Sequence, residues 1–264
     1  MKVFAKLSIM FIPSKVYHHH HSFSTKNCVN DAFGILCWNI NKNDNKKNYL
    51  KLYLKSLQKD YDFLLFQEAN KNNSKTFFLP NFSFDAAANL EIRKRFFGVL
   101  TASNVASIKT DAYLSEGKEG LIGTYKSLLI TKYAFSDGLA LWVINIHAIN
   151  FRWNRQFDTE LERLIAFIAK HKGSMIIAGD FNAWNKTRLK KLNDLQERLA
   201  LNMVPFKRVD SVKSFMGNQL DFILYKNLEL IEFSVDKNQK LSDHNPLFAK
   251  FKKTKKDFYA SSRF

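Results

Sequence analysis

Met175–Trp184 reads MIIAGDFNAW. An apolar run ends at Gly179, and an acid and an amide follow with one residue between them. Four apolar residues before a glycine suit a strand buried on both faces. In extended chain, residues two apart point the same way. Asp180 and Asn182 are therefore expected to project together from the strand's end. A carboxylate beside an amide can orient a water molecule and hold a phosphoryl oxygen. Asp and Asn also favour turns, so the competing reading is a turn and a helix cap ahead of Trp184.

The same arrangement recurs along the chain. GILCWNI carries Asn39, FLLFQE ends on Glu68, and LWVINIH ends on His147. QLDFILY contains Asp221 near its start, and LSDHNPLF supplies Asp243 and His244 just before Pro246. Any one of these polar residues, taken alone, is most simply a cap or a turn. Six apolar segments that each end in a group suited to metal or phosphate chemistry point to one composite site.

Between these segments the periodicity alternates. Strands are expected at 34–40, 63–67, 97–102, 120–130, 139–146, 175–178, 220–225 and 247–251. Tyr49, Leu50, Tyr53, Leu54 and Leu57 have helical spacing. Phe157, Leu161, Leu164, Ile165 and Ile168 trace another helical stripe, with Thr159 and Glu162 matching a capping box. Thr187 is placed to cap a helix carrying Leu189, Leu192, Leu195 and Leu199. These stripes read as core. Residues 1–32 read as an irregular leader, 71–95 as loop, and 253–264 as a basic tail. The single domain spans 33–252. Strands that gain helices on their outer faces indicate an α/β layered domain.

Lys plus Arg number 41 against 24 Asp plus Glu, a net charge of +17. Such a field draws polyanions, nucleic acid or an anionic membrane surface. The two cysteines, Cys28 and Cys37, match neither a disulfide framework nor a zinc pattern. The 25 phenylalanines read as core. The apolar run Leu7–Ile12 is shorter than a secretory core. A cytoplasmic monomer is expected, with export as the alternative. The run His18–His21 is set apart from the site.

The series Asn39, Gln67-Glu68, His147, Gly179-Asp180-Phe181-Asn182, Asp221-Phe222-Ile223 and Ser242-Asp243-His244 resembles the endonuclease/exonuclease/phosphatase superfamily, the DNase I-like proteins. The likeness runs from about Phe33 to Phe251. GVLTAS (98–103), INIHAINF (144–151) and AGDFNAW are further similar to a bacterial YafD-type branch. The resemblance implies a four-layer α/β/β/α sandwich of two packed mixed β-sheets with outer helices.

It also implies roles. Glu68, with Asn39 and Asp243, would hold Mg²⁺, or Mn²⁺ in its place, since hard cations take oxygen ligands. Asp180 would activate water, and Asn182 would donate to the phosphoryl charge. His244, paired with Asp221, would contact the scissile phosphate. His147 would be a second phosphate ligand or an acid at the leaving group. Lys126, in GTYKSLLIT, would take the phosphate-binding place that relatives give to Arg or Tyr, with Tyr125 as the alternative. The reading that follows is a metal-dependent nuclease hydrolysing phosphodiesters by activated water. The alternatives are a phosphatase or phospholipase acting on phosphoinositides or other anionic phospholipids, and a non-catalytic nucleic-acid-binding domain.

Overall fold

The computed structural model describes residues 10–11, 17–24, 26–41, 47–72, 79–92, 95–115, 125–148, 154–207, 212–237 and 240–254. In chain order the elements are β1 (Met10–Phe11), β2 (Tyr17–His21), β3 (Ala32–Asn39), α1 (Lys47–Leu57), β4 (Phe63–Asn72), β5 (Ser83–Ile92), β6 (Arg95–Ser103), β7 (Lys109–Leu114), β8 (Ser127–Ala134) and β9 (Ala140–His147). Then come α2 (Asn154–Ile168), β10 (Ser174–Asp180), α3 (Lys186–Leu199), β11 (Asn202–Met203), β12 (Ser214–Phe215), β13 (Asn218–Gln219), β14 (Asp221–Lys226), β15 (Leu228–Val235) and β16 (Leu247–Lys253).

Two sheets form. The first runs β1-β5-β6-β4-β3-β16-β15, with β2 also paired to β5. The second runs β11-β14-β10-β9-β8-β7. Each is mixed: β3 with β4 and β9 with β10 are parallel, and the neighbours of these pairs are antiparallel.

Strand alternation sorts the side chains into layers. Phe33, Ile35 and Cys37 of β3 meet Ile176 and Ala178 of β10 between the sheets. Leu36 and Trp38 face the other way, onto Leu54 of α1. Met175 and Ile177 face Leu164 and Ile168 of α2 and Leu192 and Leu195 of α3. Each such aliphatic or aromatic side chain contributes roughly 1.5–3 kcal/mol on burial. Both faces of each central strand are thus apolar, which is why these segments read as continuous hydrophobic runs. The result is the expected α/β/β/α sandwich.

The inner-face parity, carried to the strand ends, selects the polar residues. It gives Asn39 on β3, Gln67 on β4, His147 on β9, Asp180 on β10 and Asp221 on β14. Register places them together: Asn39 opposite Gln67, and Asp180 between His147 and Asp221. One end of the sandwich is therefore lined with polar groups from both sheets.

Several expectations change. The leader supplies two edge strands, β1 and β2, with His18–His21 pairing against 84–87 of β5. β5 itself lies in the stretch 71–95 expected to be loop, and 73–78 fall outside the described residues. Its alanines carry little periodic signal, and pairing on both sides makes it a strand. β7 and the edge strand β15 were likewise not foreseen. The strand expected at 120–130 begins at Ser127, and 120–124 lie outside the described residues.

α2 begins at Asn154, so Thr159 and Glu162 are interior positions and form no capping box. The cap of α3 is Asn185, whose side chain accepts from the Arg188 N–H at 2.9 Å, and Thr187 lies in the first turn. The basic tail begins as structure. Lys250 pairs with Glu232 at 2.6 Å and Lys253 pairs with Asp137, both from within β16. Lys255 and Lys256 lie outside the described residues. Among the described residues, no helix is long and apolar enough to cross a membrane.

Candidate active site

Asp180 is the centre. β10 must approach β9 closely at its end. A Cβ on Gly179 would lie 1.9 Å from the Ile146 carbonyl oxygen, and Gly179 has φ of +149°, a conformation glycine adopts without steric cost. The strand stops at Asp180, and Asn182 adopts a left-handed φ of 51°. The two side chains therefore do not project together by strand alternation. A turn links them instead: the Asn182 backbone N–H donates to Asp180 Oδ1 at 3.0 Å, while Asn182 Nδ2 donates to the Ala148 carbonyl at 3.0 Å. From the opposite sheet, Asn39 Nδ2 donates to Asp180 Oδ2 at 3.1 Å. Asn39 Oδ1 accepts the Asn41 N–H at 3.0 Å. Asn39 is thus a brace on the Asp180 carboxylate. Burial, with Asp221 close by, pushes the Asp180 carboxyl up to about 7.

On one side stands His244. Its Nδ1 donates to Asp221 Oδ2 at 2.7 Å, and both residues are buried. Trp38 Nε1 donates to the His244 carbonyl at 2.8 Å, and Ser242 Oγ donates to the Asn39 carbonyl at 2.7 Å, so the loop 242–244 is tied to β3. Burial alone would depress the imidazole. The Asp221 carboxylate outweighs it and raises His244 to about 9. His244 is a cation at neutral pH.

On the other side stands His147. Lys126 Nζ donates to its Nε2 at 2.9 Å. An ammonium has donors only, so in this contact Nε2 is the acceptor. The same Nε2 lies 3.7 Å from Asp180 Oδ2 and 3.9 Å from Glu68 Oε1. Glu68 sits at a β-bulge in β4 with φ of 49°. A left-handed glutamate costs on the order of 1 kcal/mol or more and persists where surrounding structure imposes it, commonly at functional sites.

Asp243 is placed differently. Lys213 Nζ donates to its Oδ2 at 2.9 Å and Asn41 Nδ2 to its Oδ1 at 3.0 Å. Lys213 holds its carboxyl below the usual range despite partial burial. Both oxygens of Asp243 are engaged at the rim, whereas Glu68 and Asp180 share the His147 side.

Two supports escaped the sequence reading. Gln67 Nε2 donates across the sheets to Asn145 Oδ1 at 2.8 Å, and Asn145 Nδ2 donates to the carbonyls of Phe66 and Leu100 at 3.2 and 3.0 Å. Both side chains are fully buried, so this polar layer underlies the site at the centre of the sandwich. The signal was present as Asn145 inside LWVINIH, a polar residue at inner-face parity. The second is Arg188. It is buried, lies over the Trp184 ring, and donates through Nη1 to the Asn182 carbonyl at 2.9 Å. It fixes the left-handed turn from α3. Nothing in KTRLKKL distinguishes it from its neighbours.

The donor set fits a hard divalent cation. Asp180 and Asp221 place carboxylate oxygens within 4.8 Å of one another, with the charged His244 ring in the same cluster rather than as a ligand. Asp221 Oδ1 is buried without a hydrogen-bond partner, which is costly unless a proton or cation completes it. Asp180, held weakly acidic by burial first and by the neighbouring Asp221 charge second, would be relieved by a cation in the same way. Glu68 adds a third carboxylate, and the set contains no thiolate, as Mg²⁺-type ions prefer.

Residues 36–244 match the model of the Endonuclease/Exonuclease/phosphatase family. The chain is 35% identical over 221 residues to a UPF0294 protein of Yersinia pseudotuberculosis, covering 82% of each. It superposes on an endonuclease/exonuclease/phosphatase family protein from Leptotrichia buccalis with TM-score 0.58 and 16% identity, covering 83% of this chain and 99% of that one. An AP endonuclease from Leishmania major gives TM-score 0.57 at 15% identity, covering 84% and 88%. At such identities the structural likeness speaks for the fold.

Proposed function

The chain belongs to the endonuclease/exonuclease/phosphatase family, and on that premise we propose that it is a divalent-metal-dependent phosphodiesterase that hydrolyses nucleic acid with activated water. The observation that carries this reading is the Asp180 carboxylate, buried between a cationic His244 and a His147 held by Lys126. A carboxyl near neutrality is matched to taking a proton from water. His244, charged through Asp221, donates to a phosphoryl oxygen as charge grows there. An amide carries two N–H groups, so Asn182 can hold Ala148 and still offer one to the phosphoryl group. Lys126 binds phosphate and, in leaving His147, frees that ring to take up a proton from solvent and pass it to the leaving oxygen.

In this reading Glu68 would be the principal ligand for the cation, with Asn39 and Asp243 helping to hold it. A bound divalent cation supplies charge neutralisation and polarises the phosphoryl group.

The net charge of +17 favours a polyanionic backbone as substrate. A second reading has its own support. The short β12–β13 hairpin exposes Phe215 (56%) and Met216 (74%). It lies beside the site, since Gln219 donates to the Asp221 carbonyl and Asn218 to the Trp184 carbonyl. An apolar tip beside basic residues also suits an anionic membrane surface.

Parallel assays in Mg²⁺ on plasmid DNA, RNA, an abasic duplex and phosphoinositide vesicles separate the two. Cleavage of nucleic acid that stops in EDTA and returns with Mg²⁺ or Mn²⁺ is expected. Hydrolysis confined to vesicles moves the assignment to lipid, and full turnover in metal-stripped buffer ends it.

A further inference from the structure

Beside the Lys126–His147 pair a cavity of about 130 Å³ opens between α2 and the outer face of β7, β8 and β9. Lys126 and His147, which also belong to the site, are among its lining residues, so the cavity adjoins the site. Its walls include Leu128, Ile130, Ile146 and Leu164, with Tyr113 and Phe167 as an edge-to-face pair 4.8 Å apart. Glu160 and Arg163 stand on the α2 side. None of these aromatic or charged groups belongs to the catalytic set described above.

Size and chemistry limit what the cavity takes. An apolar cavity of about 150 Å³ admits benzene, so one six-membered ring fits here and a fused pair or a long acyl chain does not. A planar ring gains from the Tyr113–Phe167 edge. A carboxylate and a guanidinium nearby suit a ring whose rim has both donors and acceptors. Lys126 suits a phosphate joined to that ring.

From these features we propose that the cavity is a base subsite, taking one pyrimidine of the nucleotide on the His147 side of the scissile phosphate. This rests on the nucleic-acid reading of the site and adds to it a preference at one position. The Asp180–His244 centre recognises the phosphodiester, and this cavity chooses which base flanks it.

The test compares kcat/KM in Mg²⁺ on dinucleotides carrying a pyrimidine, a purine or an abasic residue on the His147 side. Wild type, Leu128→Trp and Phe167→Ala are measured, each with a thermal melt. Wild type should favour pyrimidine over abasic by about tenfold, the scale of one stacked base. Leu128→Trp, which fills the cavity, should abolish that preference and leave cleavage of the abasic dinucleotide unchanged. Phe167→Ala, at the partly exposed rim, should bring purine level with pyrimidine, and it carries the test alone if the tryptophan variant does not fold. Equal base preference in wild type and Phe167→Ala overturns the proposal.

Calorimetry with thymidine 5′-monophosphate and with inorganic phosphate separates this from the nuclease assignment. If no dinucleotide is cut, nucleotide binding that exceeds phosphate binding and falls in the variants keeps the subsite and removes the nuclease reading. Binding of the two ligands that is equal, or untouched by the variants, removes the subsite.

Discussion

The two histidines flanking Asp180 are built in opposite ways. His244 has a dedicated buried carboxylate at 2.7 Å, and its loop is tied to β3 by Trp38 and Ser242. His147 has a lysine at 2.9 Å on the nitrogen that also faces Asp180 and Glu68. The carboxylate makes the His244 imidazole a cation. His147 stands instead between an ammonium and two carboxylates. The His244 side is thus fixed by its own partner, and the His147 side, whose lysine is also the proposed phosphate ligand, is the conditional one.

The largest effect should come from the group both sides share. Asp180→Asn is expected to lower kcat by about 10³-fold, within the range for a general base. The variant should melt no lower than wild type, because it removes a buried charge beside Asp221. Near wild-type turnover in Asp180→Asn would overturn the whole arrangement. On the fixed side, Asp221→Asn should cost roughly 10²-fold and pull His244 down from about 9, so the alkaline limb of the rate profile moves to lower pH. An unmoved limb would separate His244 from that titration.

The pH profile itself distinguishes the sides. Activity needs Asp180 ionised and His244 charged, so the rate should rise through about 7 and fall through about 9. Bound cation lowers the first limit, so raising Mg²⁺ should shift only the acid limb. Stability follows with the sign worked through. The folded state keeps the Asp180 proton from near 3.8 up to about 7 while the unfolded chain releases it. Asp180 therefore costs stability increasingly across that window. His244 contributes stability fully below 6.5, and it is lost as pH rises through about 9. Melting temperatures of wild type and Asp180→Asn across pH 4–7 should diverge accordingly.

On the conditional side, Lys126→Met is expected to raise KM by about tenfold, the loss of one charged contact to phosphate, with a smaller fall in kcat. A loss as large as that of Asp180→Asn would make the two sides equivalent and break the contrast. The smallest effect is assigned to residues beyond Thr254. Their removal should reduce the salt slope of nucleic-acid binding by about one unit per lost phosphate contact and leave saturated turnover unchanged. A cut after Lys250 is a poorer test, because Lys250–Lys253 belong to β16.

Much of this was legible in the chain because buried strands announce themselves twice, by an apolar run and by the polar residue that ends it. Asn39, His147 and Asp180 end their strands in that way and Asp221 opens β14, whereas β4 runs past Glu68 to Asn72 with a bulge at that point; the layers followed from where the helical stripes fall. What did not read out depends on contacts distant in sequence. β5 is a strand because β2 and β6 pair with it, and its alanines carry no such message. Asn182 lies in a left-handed turn that alternation cannot foresee. Lys126 was legible as a cation suited to phosphate, but not as the partner of His147. Arg188 stands among basic neighbours on α3, and only burial marks it out.

The Gln67–Asn145 hydrogen bond has a consequence for how the molecule comes apart. Half of the site belongs to each sheet, and this bond joins the sheets just beneath it. Asn145 also holds carbonyls from β4 and β6, so parting the layers would strand several buried polar groups at once. Undocking one sheet while keeping the other should therefore be a rare excursion, with amides beneath the site exchanging with solvent only through global unfolding. Catalysis and compactness then vanish at one denaturant concentration. Asn145→Ala should pull them apart, because a loosened seam lets the two halves of the site drift while both sheets persist.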